Sequence, residues 1–464
     1  MRQYDTSIIA KRKKQVMNIL DKITSRLNLS ATKQKVIRNV VWAVTGKVVT
    51  LLGGLLVGIF VARYLGPEQY GLMSYVISYV AIFQVLAYFG MDNIEIREES
   101  KTPEDRDKII GTAFTLKIGF ALLTMLLVAI TVWIFEADNF TKWMILLYSF
   151  SMIMNSFGVI RNYFTSLVWN EYIVKTEIFR ALIGAGIKVV LLLLHVPLVW
   201  FIVATLFDTV LIAGGYLASY QSKIDSIRKW QFDKTTAIYL IKQSFPLLLS
   251  GAAVVVYTKI DQVIIRNLLD TESVGYYSVA DRFIEICLFI PTILSQTITP
   301  ILVKAFSANQ AEYDQKSQQF MNIMVWSTIV LCVIVCLIAH PLIRYTFGIQ
   351  YLHSVPILQI MVFKVVGYAL AQSSGAMIIV ESKQKYTLFR NMIGCGACIA
   401  LNYLLIPHFG LKGAAYASIL TSLCAGYLAH LVIPHYRFLF TKQTKSLLIG
   451  WKDLTKIGQH IQVY

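Results

Sequence analysis

Charged residues are scarce in this sequence. Asp, Glu, Lys and Arg make up 15% of its 464 residues and hydrophobic residues make up 56%, and the mean hydropathy is +0.60. This balance argues against a chain of several water-soluble domains, because such domains carry about 25% charged residues. The sequence instead predicts a membrane protein with many transmembrane segments.

Long polar loops and nucleotide-binding motifs are also lacking. Connections between hydrophobic runs do not exceed about 20 residues, and this argues against a membrane glycosyltransferase or polymerase, which would need a sizeable exposed domain. The P-loop pattern G-x-x-x-x-G-K-[ST] is absent, so the chain carries no ATPase of its own. The six cysteines all fall inside hydrophobic runs, where the pair Cys395 and Cys398 is better explained as buried small side chains than as a redox or metal site. We therefore predict a protein that is not an enzyme and has no cofactor.

Acidic residues are outnumbered, with 26 Asp and Glu against 43 Lys and Arg, a net charge of +17. Thirty of the basic residues lie at or beside the connections on the side of the N-terminus, while the opposite connections carry one each at Arg63, Lys142, Arg266, Arg344 and Lys412. This asymmetry follows the positive-inside rule and predicts that both termini are cytoplasmic. It also explains the net charge by topology and anionic lipid, so we expect membrane lipid and no nucleic acid as a partner.

Hydrophobic runs long enough to cross a hydrocarbon layer of ~30 Å, which takes about 20 helical residues, occur twelve times in the sequence. Their continuity favours helices over a β-barrel, whose strands alternate in polarity. The predicted spans are residues 39–63, 72–90, 112–135, 143–168, 173–195, 198–219, 239–265, 274–303, 320–344, 355–380, 387–406 and 412–434.

A motif that occurs twice divides the chain into halves. The stretch LGPEQYGLMS (65–74) returns as LDTESVGYYS (269–278), with Leu, Glu, Gly and Ser repeated at an offset of 204 residues. Each copy follows the first span of a six-span half, and because six is even, both halves enter the membrane from the same side. We therefore predict an all-α polytopic fold of two parallel six-helix lobes, and we expect the motif to form a tight corner.

The domain organisation follows from these spans. In chain order we predict a basic amphipathic cytoplasmic segment (1–38), a first lobe (39–219), a cytoplasmic interfacial linker (220–238), a second lobe (239–434) and a basic amphipathic cytoplasmic tail (435–464). The linker carries Ile224, Ile227 and Trp230 among basic residues, which is typical of segments that lie along the membrane surface. For all three polar segments, a frayed segment or a partner-binding helix is the alternative.

Ionisable residues inside spans are costly in lipid and need a partner, water or a function. In the fifth span, Arg180 and Lys188 share one helical face. In the first span, Lys47 shares a face with Gly54 and Gly58, whose G-x-x-x-G spacing favours close packing of a neighbouring helix. Such basic faces predict a wet cationic cavity for an anionic substrate, because Arg and Lys both bind phosphate.

The second lobe supplies further ionisable residues. Lys242 and Asp261 lie on one stripe of the seventh span while Lys259 points elsewhere, and the eighth span groups three charged residues within one arc. We predict that the substrate is bound by Lys47, Arg180, Lys188, Lys242 and Arg282, and that the coupling ion, H⁺ or Na⁺, is bound by Asp261, Asp281 and Glu285.

Structural explanations remain open for several of these residues. Lys47, Lys242 and Lys259 lie near span ends and would then reach back to the membrane surface. The charged residues of the eighth span would then form a local ion-pair cluster, with Asp281 and Glu285 as partners of Arg282. Asp208 in the sixth span is a lone acid in the sequence, with a hydrogen-bonded structural role as the alternative to a functional one.

Four stretches carry a family resemblance. They are ARYLGPEQYGLMSYV (62–76), KIDQVIIRNLLDTESVGYYSVADRF (259–283), FGIQYLHSVPILQIM (347–361) and LNYLLIPHFGLKGAAYAS (401–418). With them the sequence resembles the polysaccharide exporters and O-antigen flippases of the multidrug/oligosaccharidyl-lipid/polysaccharide (MOP) superfamily. The resemblance covers about residues 40–434 and supplies no motif from which site residues can be transferred.

The resemblance implies two six-helix lobes in a V around a central cavity, in the bacterial cytoplasmic membrane. It implies movement of an undecaprenyl-diphosphate-linked oligosaccharide to the outer leaflet by alternating access, coupled to a proton or sodium gradient. It also leads us to expect a polysaccharide polymerase and a chain-length regulator as partners. The leading hypothesis is therefore a flippase for a repeat unit of O-antigen or another surface polysaccharide. A multidrug or other lipid-linked precursor exporter of the same superfamily is the alternative transporter, and an enzyme of glycan assembly is the alternative from another class.

Overall fold

A computed structural model describes residues 31–454, with side chains from residue 50 onward except at residues 52, 103, 453 and 454. All regular secondary structure within this range is helical, because only internal hydrogen bonds satisfy the backbone of long apolar runs in lipid. Most of the segment predicted over residues 1–38, and the last ten residues of the tail, lie outside the described residues.

The helices of the first half are α1 (Ala31–Tyr88), α2 (Asp92–Lys101), α3 (Arg106–Phe135), α4 (Asn139–Ser149), α5 (Ser151–Asn155), α6 (Gly158–Ser166), α7 (Asn170–Leu193) and α8 (Leu198–Lys223). Those of the second half are α9 (Lys234–Leu268), α10 (Thr271–Ala308), α11 (Gln310–Thr346), α12 (Ser354–Met361), α13 (Lys364–Val380), α14 (Thr387–Phe409), α15 (Leu411–Leu423), α16 (Ala429–Val432), α17 (Arg437–Ile449) and α18 (Trp451–Leu454).

Twelve membrane crossings account for these helices. Ten helical segments of the described residues are long and apolar enough to cross a membrane. The first of them contains two crossings, because α1 bends sharply at Gly66, whose φ of 72° lies in the left-handed region. The remaining crossing is α7, whose 24 residues are long enough but include five charged side chains. The predicted all-α polytopic fold is confirmed.

Two predicted spans are broken and several are longer than expected. The span predicted over 143–168 is divided among α4, α5 and α6, and the span predicted over 355–380 is divided between α12 and α13. Helices α9, α10 and α11 have 35, 38 and 37 residues, more than the ~20 needed to cross the hydrocarbon layer. Hydropathy detects only the part of a helix that lies in lipid, so it missed their polar ends.

The two copies of the repeated motif meet where the lobes touch. We call the end of the bundle that holds the two motifs (65–74 and 269–278) the motif end. We call the opposite end, where the connections rich in Lys and Arg lie, the basic end. Gly71 packs against the backbone of Thr271, and Gly275 packs against the backbone of Pro67. The contact is reciprocal, because Thr271 and Gly275 stand 204 residues after Pro67 and Gly71, as expected for two copies related by a two-fold axis. A Cβ atom at either glycine would overlap the opposite backbone. The motif is therefore a corner, as predicted, and also the joint between the lobes.

Further hydrogen bonds join the lobes at the motif end. The Tyr351 hydroxyl donates to the carbonyl of Ala62 at 2.8 Å, and the Arg63 guanidinium donates to the carbonyl of Tyr345 at 2.6 Å. The Gln350 amide donates to the carbonyl of Arg63 at 2.9 Å. Aromatic side chains of both lobes fill the space behind these bonds, and Tyr70 contacts Tyr351 edge to face. The lobes are thus held together at this end.

The linker packs against the first lobe. Ile224, Ile227 and Trp230 pack against the core of the first lobe, and the indole N–H of Trp230 donates to the Tyr220 hydroxyl at 3.1 Å. These side chains thus find apolar partners within the protein, and the position of the linker along the membrane surface stays a prediction. The tail also packs onto its lobe, where the buried Gln443 of α17 donates to the carbonyl of Gly426 at 2.8 Å. The domain boundaries stay predictions.

Candidate functional site

A cavity of about 250 Å³ lies within the first lobe, where α1, α7 and α8 face α10. We call it the first-lobe cavity. Arg180 and Lys188 line it from α7, and Arg282 of α10 reaches it from the second lobe. The two α7 residues share a wall because a separation of eight residues is just over two helical turns. Three of the five predicted substrate-binding cations therefore surround one space.

Small residues of α1 form the opposite wall. Gly53, Gly54 and Gly58 line the cavity, and no atom lies within 4 Å of the place where a Cβ would project from any of them. The expectation that a neighbouring helix packs closely against Gly54 and Gly58 was wrong, because the side of α1 that carries them faces open space. Glycine at these positions widens the cavity.

Lys188 forms an ion pair with Asp208 of α8, with Nζ 2.6 Å from Oδ2 and only 17% and 11% of the two side chains exposed. Gly184 makes the pair possible, because a Cβ there would overlap the Asp208 carboxylate. Asp208 is thus not the lone acid that the sequence suggested. Its partner lies on another helix, which helical periodicity within one span cannot reveal.

Arg180 is the less neutralised of the two α7 cations. Its Nε is buried, and within the described part of the chain this atom has no hydrogen-bond partner. A buried donor without a partner costs about 1–3 kcal/mol, so an anion in the cavity would recover this free energy. Because Lys188 is held by Asp208 and Arg282 has a carboxylate partner in Glu285, Arg180 is the cavity cation with the least compensated charge.

A smaller space of about 50 Å³ between the lobes, the interlobe cleft, holds the charged residues of α10. Glu285 lies 3.1 Å from the guanidinium of Arg282 and 3.5 Å from Nζ of Lys259. Lys259 therefore faces the cleft, which Asp261 does not line, so the two residues point in different directions, as predicted. Asp281 pairs with Lys364 at 2.8 Å, whereas the sequence suggested Arg282 as its partner. Lys364 lies inside the predicted span 355–380, and this was the available signal for it.

Asp261 stands apart from these ion pairs. Only 4% of the residue is exposed, and its carboxylate accepts hydrogen bonds from the Tyr277 hydroxyl at 2.6 Å and the Asn402 amide at 2.8 Å. The Cys398 thiol donates to it at 3.3 Å. Among the described residues no Lys or Arg forms an ion pair with Asp261, and the buried Asn402 Oδ1 and Thr421 Oγ1 have no hydrogen-bond partner. These oxygen atoms suit a proton or a small hard cation.

Comparison with known proteins decides the family. The profile of the family described as polysaccharide biosynthesis protein matches residues 36–306, more than half of the chain. The chain belongs to this family. A profile described as MatE also matches residues 246–404. The capsular polysaccharide biosynthesis protein CapF of Staphylococcus aureus is 22% identical over 223 residues, or 48% of this chain and 56% of CapF. The chain thus matches only about half the length of that relative.

Solved structures of MOP superfamily proteins share the fold. The lipid II flippase MurJ, in an inward closed conformation, has a TM-score of 0.66 at 14% identity over 90% of this chain and 92% of MurJ. An inward-facing MATE multidrug transporter has a TM-score of 0.65 at 14% identity over 85% and 96%. A MOP superfamily transporter from Pyrococcus furiosus has 0.57 at 14% identity over 89% and 96%. The resemblance to this superfamily and the MATE-like fold are confirmed.

The remaining two cations predicted for this family member do not line the first-lobe cavity in the described residues. Lys242 of α9 is exposed and does not border the cavity or the cleft. The side chain of Lys47 lies outside the described residues. Lys242 sits in the third helical turn of α9, where a reach to the membrane surface remains an adequate explanation.

Sequence reasoning missed a buried ion cluster in the first lobe. Lys117 of α3 is 1% exposed and lies 2.7 Å from Asp92 and 2.8 Å from Glu95 of α2. The Asn162 amide of α6 donates to Glu95 at 2.7 Å. The acids fall in a stretch that hydropathy assigns to a loop, but Lys117 lies inside a predicted span, and this was the available signal. The cluster ties three helices together and does not border the first-lobe cavity.

A second missed residue is Arg390, which lines a cavity of about 660 Å³ in the second lobe. We call it the second-lobe cavity. The signal was a further repeat: FRALIGAG (179–186) in α7 returns as FRNMIGCG (389–396) in α14 at an offset of 210 residues. Arg390 is therefore the counterpart of Arg180. The first repeat, at an offset of 204, does not reveal this pair.

Proposed function

We propose that this chain is a flippase that moves an undecaprenyl-diphosphate-linked oligosaccharide across the cytoplasmic membrane by alternating access. The observation that carries the proposal is the first-lobe cavity, where Arg180, Lys188 and Arg282 converge inside the membrane-spanning helices. Cations at this depth are costly in lipid, and a diphosphate would neutralise them. No covalent bond changes in this process, so the chain would act as a transporter and not as an enzyme.

The closed motif end supports a loading step from the basic end. If the basic end is cytoplasmic, as the distribution of Lys and Arg predicts, the reciprocal Gly71 and Gly275 joint would seal the outer side while the headgroup enters. Translocation would then require this joint to open and the basic end to close. The repeat unit would serve O-antigen or another surface polysaccharide, beside a polymerase and a chain-length regulator.

For ion coupling we favour Asp261 over Asp281 and Glu285. Asp281 and Glu285 are compensated by Lys364, Lys259 and Arg282, whereas Asp261 accepts only neutral donors. A buried carboxylate without a cationic partner is stable when it holds a proton or a bound cation. Uptake of H⁺ or Na⁺ at Asp261 would then bias which way the lobes open, in antiport with the lipid-linked glycan.

The test is translocation of a purified lipid-diphosphate oligosaccharide in proteoliposomes. We expect Arg180→Gln to reduce the initial rate by at least about 10-fold, because one charge-assisted hydrogen bond is worth about 1.5–3 kcal/mol. The surface variant Lys108→Gln, whose side chain is 53% exposed, is the matched control and should keep the full rate. An undiminished rate in Arg180→Gln would remove the cavity from the mechanism.

An exporter of drugs from the same superfamily is the second candidate, and the match of residues 246–404 to the MatE profile favours it. The two candidates differ in the charge of the cargo. A cationic cavity repels organic cations and attracts diphosphates. If drug efflux from loaded proteoliposomes depended on Arg180 while glycan translocation did not, drug export would replace glycan translocation as the proposed function.

A further inference from the structure

The second-lobe cavity is larger than the first-lobe cavity and differs in its lining. It measures about 660 Å³ and lies between α9, α10, α13 and α14, in the size range of small-molecule sites, about 300–1,000 Å³. Hydroxyl and amide side chains make up much of its polar wall, namely Ser250, Ser295, Gln296, Thr299, Gln372 and Gln384. Such groups donate and accept hydrogen bonds, and both capacities are needed to bind sugar hydroxyls.

Two cations, Arg390 and Lys385, also line this cavity, and within the described part of the chain no carboxylate does. One terminal nitrogen of Arg390, Nη1, is buried and lacks a hydrogen-bond partner among the described residues. The neighbouring Asn391 donates to the Ser250 hydroxyl at 2.9 Å, which holds this turn of α14 against α9. A buried guanidinium with a free donor, at the wall of a cavity that also presents hydroxyl and amide groups, is suited to an anion.

The repeat in the sequence supports the same conclusion independently. Arg180 and Arg390 occupy the same position of FRALIGAG and FRNMIGCG, and each lines the cavity of its own lobe. Each also has a buried nitrogen without a hydrogen-bond partner in the described residues. The duplicated bundle therefore presents the same arginine twice, once beside Lys188 and Arg282 and once beside Lys385 and several hydroxyl and amide side chains.

We propose that the second-lobe cavity binds an acidic sugar of the translocated glycan. Arg390 would hold the carboxylate of a hexuronic acid through its planar fork, and the hydroxyl and amide side chains would bind the ring hydroxyls. This inference rests on the proposed function, since it concerns the same cargo. It divides the cargo between the lobes, with the diphosphate in the first-lobe cavity and the acidic sugar in the second-lobe cavity.

The test measures binding to the purified full-length chain in nanodiscs by calorimetry. The probes are trigalacturonate, the neutral trisaccharide maltotriose and inorganic pyrophosphate. We expect Arg390→Gln to raise the dissociation constant of trigalacturonate by at least about 10-fold and to leave that of pyrophosphate unchanged. Arg180→Gln should do the reverse. Arg437→Gln, at an exposed position of α17, is the matched control and should change neither.

A second variant keeps the test decisive if Arg390→Gln does not fold. Gly375 lines the second-lobe cavity, and no atom lies within 4 Å of the place where its Cβ would project. Gly375→Leu should therefore fold, fill the cavity and abolish trigalacturonate binding without affecting pyrophosphate. Unchanged trigalacturonate binding in either folded variant would overturn the site.

The remaining outcomes separate this inference from the proposed function. Loss of pyrophosphate binding in place of trigalacturonate binding in Arg390→Gln would assign the cavity to the diphosphate and overturn the acidic-sugar site. Arg390-dependent trigalacturonate binding in a chain that translocates no lipid-linked oligosaccharide would uphold the site and reject the flippase.

Discussion

The two lobes carry the same arginine but differ in the residue that follows it on the same helical face. Eight residues after Arg180 stands Lys188, and eight residues after Arg390 stands Cys398. Lys188 forms an ion pair with Asp208 at 2.6 Å, whereas the Cys398 thiol lies 3.3 Å from Asp261. The first lobe therefore compensates its acid with a cation, and the second lobe buries its acid among neutral donors.

This difference shows how a duplicated bundle acquires two kinds of site. The backbone and the arginine are retained, while a substitution two turns along the helix decides whether the nearby acid is neutralised. An acid that is paired with lysine already has its counter-charge. An acid that is surrounded by hydroxyl, thiol and amide groups is free to exchange a proton or a cation. The comparison predicts that charge changes in the first lobe affect folding, and that those in the second lobe affect ion dependence.

The largest expected effect is on the buried ion cluster of the first lobe. Lys117→Met leaves the fully buried Glu95 without its cation, so we expect the free energy of unfolding in detergent to fall by about 3–5 kcal/mol. The surface substitution Lys108→Met is the control and should change it by less than about 0.5 kcal/mol. Equal effects of the two substitutions would contradict the structural role of the cluster.

The next largest effect should come from replacing Lys188 of the first lobe by cysteine, the residue that stands at the corresponding position of the second lobe. Lys188→Cys leaves Asp208 unpaired, and we expect a loss of about 2–4 kcal/mol in the free energy of unfolding. The double variant Lys188→Cys with Asp208→Asn should recover at least half of this loss, because no unpaired charge remains. A double-mutant cycle measures the coupling between the two residues. Additive losses would show that the broken ion pair is not the cause of the lower stability.

In the second lobe we expect a smaller effect on stability, together with a loss of the response to ions. Asp261→Asn should lower the free energy of unfolding by about 1–3 kcal/mol. The new amide has one oxygen in place of two, so it can accept only part of the hydrogen bonds that the neighbouring side chains donate to the carboxylate. It should also abolish any dependence of the melting temperature on Na⁺ or of translocation on an imposed gradient. Glu312→Gln, at a 45% exposed side chain, is the control. A gradient response that survives in Asp261→Asn would move the coupling site elsewhere.

The smallest effect tests whether the repeated helices are equivalent. Gly186 and Gly396 occupy the same place in the two FR motifs, and neither has an atom within 4 Å of its Cβ position. We expect Gly186→Ala and Gly396→Ala each to raise the free energy of unfolding by about 0.5–1 kcal/mol, because alanine loses less conformational entropy in a helix. Thermal unfolding measures both changes. If the free energy of unfolding rose in one variant and fell in the other, the two helices would not be equivalent in packing.

Helical periodicity predicted part of the candidate site correctly. It placed Arg180 and Lys188 on one face, and that face lines the cavity, because both residues lie on the same uninterrupted helix. It could not pair Lys188 with Asp208 or Asp281 with Lys364, since those partners lie on different helices. Nor could it pair Lys259 with Glu285, since that partner lies on α10.

The number of spans, the two-fold repeat and the family resemblance were determined by the sequence alone, because hydropathy, loop length and motif spacing can be read along the chain without its tertiary contacts. The tertiary structure alone decided which glycines open a cavity and which join the lobes. Gly54 and Gly58 face empty space, while Gly71 and Gly275 touch the opposite backbone. It also decided which acids are neutralised, because the energy of a buried charge depends on the atoms that other helices bring within about 4 Å.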